Sequence, residues 1–208
     1  MDERRTTDPR CYAARAGDEG CRAIDEEISS LVVRPSSVLV IGLGNPSLGD
    51  DGVGWRVAEE VKKRLRIADC GLRIVPTDPQ SAIEVDCLAL GGLSLMERLV
   101  GYEQVVLIDA FSTGQKPAGA VYTVDLAELP NQTAGHTASA HDTSLLTALK
   151  MGRALGARLP ERVTVVAVEA QRVYDFSEEL TPPVAAAVPF AVESVLDLLR
   201  ASRQGASA

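Results

Sequence analysis

The chain has 208 residues, of which 46% are hydrophobic and 24% charged, which is enough apolar material for the core of one domain. Lysines and arginines number 21 against 29 aspartates and glutamates, so the net charge is -8 at pH 7. This charge argues against a nucleic-acid partner, because it would repel a phosphate backbone. The four cysteines form no C-x-x-C pair, so neither a zinc knuckle nor a redox motif is indicated.

The sequence predicts a cytoplasmic protein with free thiols. It contains no apolar run of the roughly 18 residues that would predict a membrane span. The start, MDERRTTDPRCY, has no hydrophobic stretch of a signal peptide behind its charges. We therefore expect no membrane association, and we expect a monomer.

Three segments are predicted. Residues 1–36 are rich in charged and small residues and end at a Pro-Ser-Ser sequence, so we expect a partly disordered N-terminal extension. The alternative for this extension is an amphipathic helix around Ala23 to Val33. Residues 37–202 form the predicted domain, and residues 203–208 a flexible tail.

Short apolar runs alternate with helical patterns along the domain. The first run, Val38 to Gly42, predicts a buried strand, and it precedes a helix with apolar residues at i+4 spacing. Later strands are predicted at Val85–Leu90, Gln104–Asp109, Ala120–Leu126 and Val163–Val168. Later helices are predicted at Ser94–Val100, at Thr143–Leu155 and from about Val184 to Leu199, the last with a kink at Pro189.

This alternation predicts an α/β fold. Strands made of continuous Val, Leu and Ile are buried on both faces, so helices must cover a mostly parallel sheet on each side. We therefore expect a three-layer αβα sandwich. The stretch Asp69 to Glu84, which contains two prolines, is interpreted as an irregular insertion or an added edge strand.

The segment VLVIGLGNPSLGDDGVGWRVAEEV places glycines at the end of the first strand and Asp50 and Asp51 where the next helix begins. A dinucleotide-binding loop would need a third glycine where Ser47 stands, and the carboxylates would repel a pyrophosphate. The alternative is a strand-to-helix turn in which Asp50 or Asp51 only caps the helix. The motif therefore needs partners elsewhere before it indicates a site.

Asp109 and His141 are the candidate partners of Asp51. Asp109 ends an apolar strand, and His141 lies in a loop that leads into a helix, so all three are expected at the carboxyl edge of the sheet. Two carboxylates and one imidazole form a mixed oxygen and nitrogen site suited to nickel, zinc, manganese or iron. His136 is the less favoured ligand. No serine, zincin or cysteine nucleophile motif is present, so a hydrolase would use metal or carboxylate chemistry.

The ordered segments GLGNPSLGDDGVGWRVAEEV, VVLIDAF, SAHDTSLLTALKMGRAL, RVTVVAVEAQ and LTPPV resemble the hydrogenase maturation proteases over roughly residues 37 to 200. The resemblance implies that Asp51, Asp109 and His141 bind the metal. It also implies an endopeptidase that recognises nickel already inserted into a hydrogenase large-subunit precursor and then removes a C-terminal peptide. The nickel would thus be supplied by the substrate rather than permanently bound.

Two other functions remain as alternatives. A non-catalytic nickel-sensing chaperone would bind the same precursor without cutting it. A peptidyl-tRNA hydrolase-like enzyme is suggested by the sequence GLGNPS, which is close to the opening glycine motif of that family. The second alternative fits less well, because the expected histidine soon after the motif is absent and the net charge is -8.

Overall fold

The computed structural model of the chain describes residues 38–71, 83–129 and 142–205, with the backbone alone for residues 66–71, 142–144 and 203–205. The predicted N-terminal extension, the central part of the predicted insertion and both histidines lie outside the described residues. The strands are β1 (Val38–Leu43), β2 (Ile83–Leu88), β3 (Gln104–Phe111), β4 (Val121–Asp125) and β5 (Arg162–Glu169). The helices are α1 (Val53–Gly71), α2 (Gly92–Leu99), α3 (Asp142–Ala154) and α4 (Pro182–Gly205).

The five strands form one sheet in the order β2-β1-β3-β5-β4. The first four in this order are parallel to their neighbours, and β4 pairs antiparallel with β5 at the edge. The predicted mostly parallel sheet is therefore confirmed. The carboxyl ends of β1 and β3 are neighbours, because Gly42 pairs with Ile108 in the register of these strands.

Alternate residues of the central strands face opposite layers of helices, as the uninterrupted apolar strands predict. On β3, Val106 and Ile108 belong to a core shared with α1 and α4. Leu107 and Phe111 belong to a second core, shared with α2 and α3. The α/β fold and the three layers are therefore confirmed.

Helix α1 lies very close to the ends of two strands. Its buried residues Val53, Val57 and Val61 recur at the spacing that the sequence predicts, so one face of the helix covers the sheet. A Cβ atom added at Gly54 would lie 2.2 Å from the carbonyl oxygen of Leu43 and 2.5 Å from that of Ile108. Only glycine allows this approach, which brings the start of α1 over the carboxyl ends of β1 and β3.

The observed bounds of β2 and β3 differ from the predicted ones by two residues, and those of the other three strands by one. Strand β2 begins and ends two residues earlier than expected, because β1 ends at Leu43, which pairs with Leu88, so Leu90 has no strand beside it. Strand β3 continues past Asp109 to Phe111, because β5 still pairs with it there. The predicted end of β3 at Asp109 is therefore wrong by two residues.

Helix α4 begins with the two prolines of LTPPV. The N–H groups of the first helical residues have no partner within a helix, so proline, which lacks an N–H, loses no hydrogen bond at positions 182 and 183. The first helical hydrogen bond is donated by Ala185 N to the carbonyl oxygen of Thr181 at 2.9 Å. Pro189 lies inside the same helix, which continues to Gly205. In the described part of the chain, no helix combines the length and the apolar character that crossing a membrane requires.

Candidate functional site

The turn after β1 holds Asp51 at the carboxyl edge of the sheet. Gly44 has φ +116°, and a Cβ atom there would lie 1.9 Å from the carbonyl oxygen of Asp51, so this position requires glycine. The backbone N–H of Asn45 donates to Oδ2 of Asp51 at 2.6 Å. The side-chain oxygen of Asn45 in turn accepts from Ser47 N at 3.0 Å. Asp51 is therefore a half-buried carboxylate whose position is fixed by the glycine turn.

Asp109 lies near the end of the neighbouring strand and is 1% exposed. Its Oδ1 accepts a hydrogen bond from Ala110 N at 2.9 Å. The one-turn 3₁₀ helix Gly49–Gly52, which carries Asp51, contacts β3. The structure thus places Asp51 and Asp109 on adjoining elements at the edge where open α/β sheets bind ligands.

The third predicted ligand, His141, lies outside the described residues, as does His136. Helix α3 begins at Asp142, the residue that follows His141. Among the side chains that the structure describes, no three of His, Cys, Asp or Glu are grouped so that they could hold a metal ion. The assignment of all three residues to one metal site stays a prediction.

Asp50 is fully buried and fixes the loop between β5 and α4. Its Oδ2 accepts hydrogen bonds from Gln171 N at 3.4 Å, Arg172 N at 3.2 Å and the Thr181 hydroxyl at 3.0 Å. Its Oδ1 accepts from Thr181 N at 2.7 Å. These donors offset the loss of hydration of the carboxylate. The hydrogen bonds of Asp50 therefore join two loops. The sequence had predicted for Asp50 only the alternative role of a helix cap.

Glu169 is a second buried carboxylate at the same edge, at the end of β5. Its Oε1 accepts from Thr113 N and Gly114 N, both at 2.8 Å, and from the Thr113 hydroxyl at 2.9 Å. Its Oε2 accepts from the Tyr122 hydroxyl at 3.3 Å. Glu169 therefore holds the loop that follows β3, the strand of Asp109.

Sequence reasoning did not select Glu169, although a signal for it exists. In VTVVAVEA, a carboxylate ends an apolar strand in the same way that Asp109 follows VVLI. Asp50 gave a weaker signal, since its partners are mostly backbone N–H groups that are more than 120 residues away along the chain.

Another group of carboxylates, on β2, is neutralised by Arg98. The guanidinium of Arg98 forms ion pairs with Glu84 and, at 2.5 Å, with Asp86. Tyr102 donates its hydroxyl to Glu84 at 2.5 Å. Burial, followed by the hydrogen bond to Glu84, raises the pKa of Tyr102. Because the cation and the hydroxyl satisfy these carboxylates, this cluster fixes α2 to the sheet and is not a candidate metal site.

Comparisons with known proteins agree with the fold and indicate one family. Residues 85–198 match the family HycI, hydrogenase maturation protease, and this segment includes Asp109 and His141 but begins after Asp51. The hydrogenase expression/formation protein HupD of Rhizobium leguminosarum bv. viciae is 28% identical over 163 residues, which are 78% of this chain and 74% of HupD.

A sequence and a solved structure from Escherichia coli give the same result. The hydrogenase 2 maturation protease of strain K12 is 26% identical over 165 residues, which are 79% of this chain and 92% of that protein. The solved structure of the hydrogenase maturating endopeptidase HybD has a TM-score of 0.61 at 25% identity and covers 80% of this chain and 93% of its own.

These matches do not fit the peptidyl-tRNA hydrolase alternative, and the relatives named protease or endopeptidase favour an enzyme over a non-catalytic chaperone. The chain belongs to the hydrogenase maturation protease family and is a hydrogenase maturation endopeptidase.

Proposed function

We propose that the chain cuts only a nickel-loaded large-subunit precursor, and that Asp51, Asp109 and His141 recognise the nickel that the precursor carries. The observation that carries the proposal is the pair of carboxylates on adjoining elements at the carboxyl edge of β1 and β3. Recognition of the metal would position the C-terminal tail of the precursor, and this proximity favours cleavage of one peptide bond.

The donor set fits a metal that arrives with other ligands. Carboxylate oxygens and an imidazole nitrogen suit nickel, and three ligands leave coordination positions for those that the precursor supplies. Bound nickel would supply positive charge at this edge. Asp109, buried in an otherwise apolar strand, and Asp51, held by Asn45, would present their oxygens to it.

The strand pattern supports including His141. Asp109 lies on the same side of β3 as Leu107 and Phe111, because side chains alternate along a strand. Those two residues share a core with Leu145 of α3. Helix α3 runs from Asp142 toward the parallel strand β5, so its first turn begins at the carboxyl edge. His141, one residue earlier, would then face the same side of the sheet as Asp109.

The test compares two forms of one large-subunit precursor that retains its C-terminal extension. Nickel-loaded and metal-free precursor, verified by elemental analysis and by circular dichroism, are incubated with the enzyme, and the products are weighed by mass spectrometry. We expect cleavage of the nickel-loaded form alone. We also propose that the enzyme is cytoplasmic, so the assay uses reducing conditions, and that it acts as a monomer. We also expect the purified enzyme to retain little nickel after dialysis. Equal rates with both forms would refute the proposal.

A further inference from the structure

The loop between β5 and α4, residues 170–181, exposes two aromatic rings and is hydrogen-bonded to the turn that carries Asp51. Tyr174 is 83% exposed and Phe176 is 92% exposed. They are the most exposed of the large hydrophobic side chains that the structure describes. We propose that these two rings form the docking surface for the folded body of the large-subunit precursor. This inference rests on the proposed function, since it names where the same substrate is held.

The loop is held firmly against the turn that carries Asp51. Besides the hydrogen bonds to Asp50, Gly49 N donates to Ser177 O at 2.7 Å, and Ser177 N donates to Ser47 O at 3.1 Å. The guanidinium of Arg56 donates to Glu178 O at 3.2 Å. A ring carried on a fixed support loses little conformational freedom when a partner covers it, so it is suited to binding.

The position of the loop identifies its occupant. The peptide bond to be cut must reach the carboxyl edge, and the loop is hydrogen-bonded to Ser47, Gly49 and Asp50, which lie just before Asp51 in the turn. A protein substrate bound at Asp51 would therefore lie over Tyr174 and Phe176. Two aromatic side chains that are exposed in the free enzyme and buried in the complex are the type of anchor that dominates protein interfaces.

Charges around the rings define the complementary surface of the precursor. Asp175 is paired with Arg172 at 2.8 Å, whereas Glu178 and Glu179 are exposed carboxylates near the rings. The partner surface should therefore be an apolar patch bordered by lysine or arginine side chains. An anionic lipid surface is disfavoured, because the loop is acidic and the whole chain has a net charge of -8.

The experiment uses the double variant Tyr174→Ser/Phe176→Ser and, as a matched control, Phe190→Ser. Phe190 is also exposed, at 70%, but it lies on α4, eight residues beyond the start of the helix. Thermal unfolding first verifies that all variants are folded. The affinity for nickel-loaded precursor is then measured by calorimetry, and KM and kcat are measured by mass spectrometry of the product.

We expect the double variant to bind the precursor about 30-fold more weakly and to raise KM by a similar factor, as truncation of aromatic anchors does. Its kcat at saturation should stay within about twofold of the wild-type value, because neither ring belongs to the Asp51 site. Phe190→Ser should match the wild type in its affinity for the precursor, in KM and in kcat.

Three results would overturn the docking surface. The first is unchanged affinity in the double variant, and the second is an equal loss in Phe190→Ser. The third is a wild-type dimer that the double variant dissociates, because the rings would then contact a second copy of the chain. A wild-type enzyme that binds the precursor through the rings but cuts it without nickel would refute the proposed function alone.

Discussion

Replacing Asp50 by asparagine tests whether one buried carboxylate holds the loop between β5 and α4. The amide keeps a single acceptor oxygen. If that oxygen replaces Oδ2, it retains the three donors on that side, but the new NH₂ group then faces Thr181 N, which donates at 2.7 Å in the wild type. Two donors would oppose each other in a site that is 0% exposed.

The expected loss of stability follows from these contacts. A hydrogen bond to a charged acceptor contributes about 1.5–3 kcal/mol, and one such bond is lost while the others become neutral. Removing the buried charge offsets part of this loss, because the wild type carries the desolvation penalty of the carboxylate. We therefore expect Asp50→Asn to lower the free energy of unfolding by about 2–3 kcal/mol.

Urea unfolding followed by circular dichroism measures this difference. Asp197→Asn is the matched control, because Asp197 pairs with Arg200 where both side chains are more than 60% exposed. Its effect should stay below about 0.5 kcal/mol. Hydrogen exchange should also show faster exchange of the Arg172 and Thr181 amides in Asp50→Asn. A change below about 0.5 kcal/mol with unaltered amide protection would show that Asp50 does not hold the loop.

Two further variants address the site and the fold. His141→Ala should abolish most cleavage of nickel-loaded precursor, whereas His136→Ala should cleave it normally, as measured by mass spectrometry of the product. Equal activity of the two variants would contradict the assignment of His141 to the site. Gly54→Ala should lower the free energy of unfolding by about 3 kcal/mol, since its Cβ would overlap two carbonyl oxygens. In the control Gly114→Ala, the new Cβ would have no atom within 4 Å, so the free energy of unfolding should fall by only about 1 kcal/mol, because of the positive φ at this position. Similar losses in urea unfolding would contradict this account.

Periodicity was sufficient to predict the layers of this fold. The i+4 spacing of Val53, Val57 and Val61 identified the buried face of α1, and the continuous apolar strands predicted helices on both sides of the sheet. The ends of β2 and β3 could not be predicted as well from the sequence, because they depend on where the neighbouring strand ends. The antiparallel direction of β4 is likewise set by its pairing with β5 and not by its own residues.

The candidate site was predictable only in part. Asp51 and Asp109 stand at positions where local sequence marks the end of a strand or the start of a helix, and the structure places both at the carboxyl edge. Asp50 was not recognised as a link between loops, since three of its four donors are backbone N–H groups of Gln171, Arg172 and Thr181, which have no sequence signature. Contacts between distant backbone atoms appear only once the chain is folded.

The loop that carries Tyr174 and Phe176 is attached largely through its main chain. Its hydrogen bonds to the rest of the domain use the N–H groups of residues 170, 171, 172, 177 and 181, the carbonyl oxygens of residues 172, 177 and 178, and one side chain, the Thr181 hydroxyl. Val173 and Leu180 add apolar packing, but side chains 174 and 176 take no part. Other side chains at positions 174 and 176 would therefore leave the support in place, so the proposed docking surface can change while the carboxyl edge of the sheet stays the same.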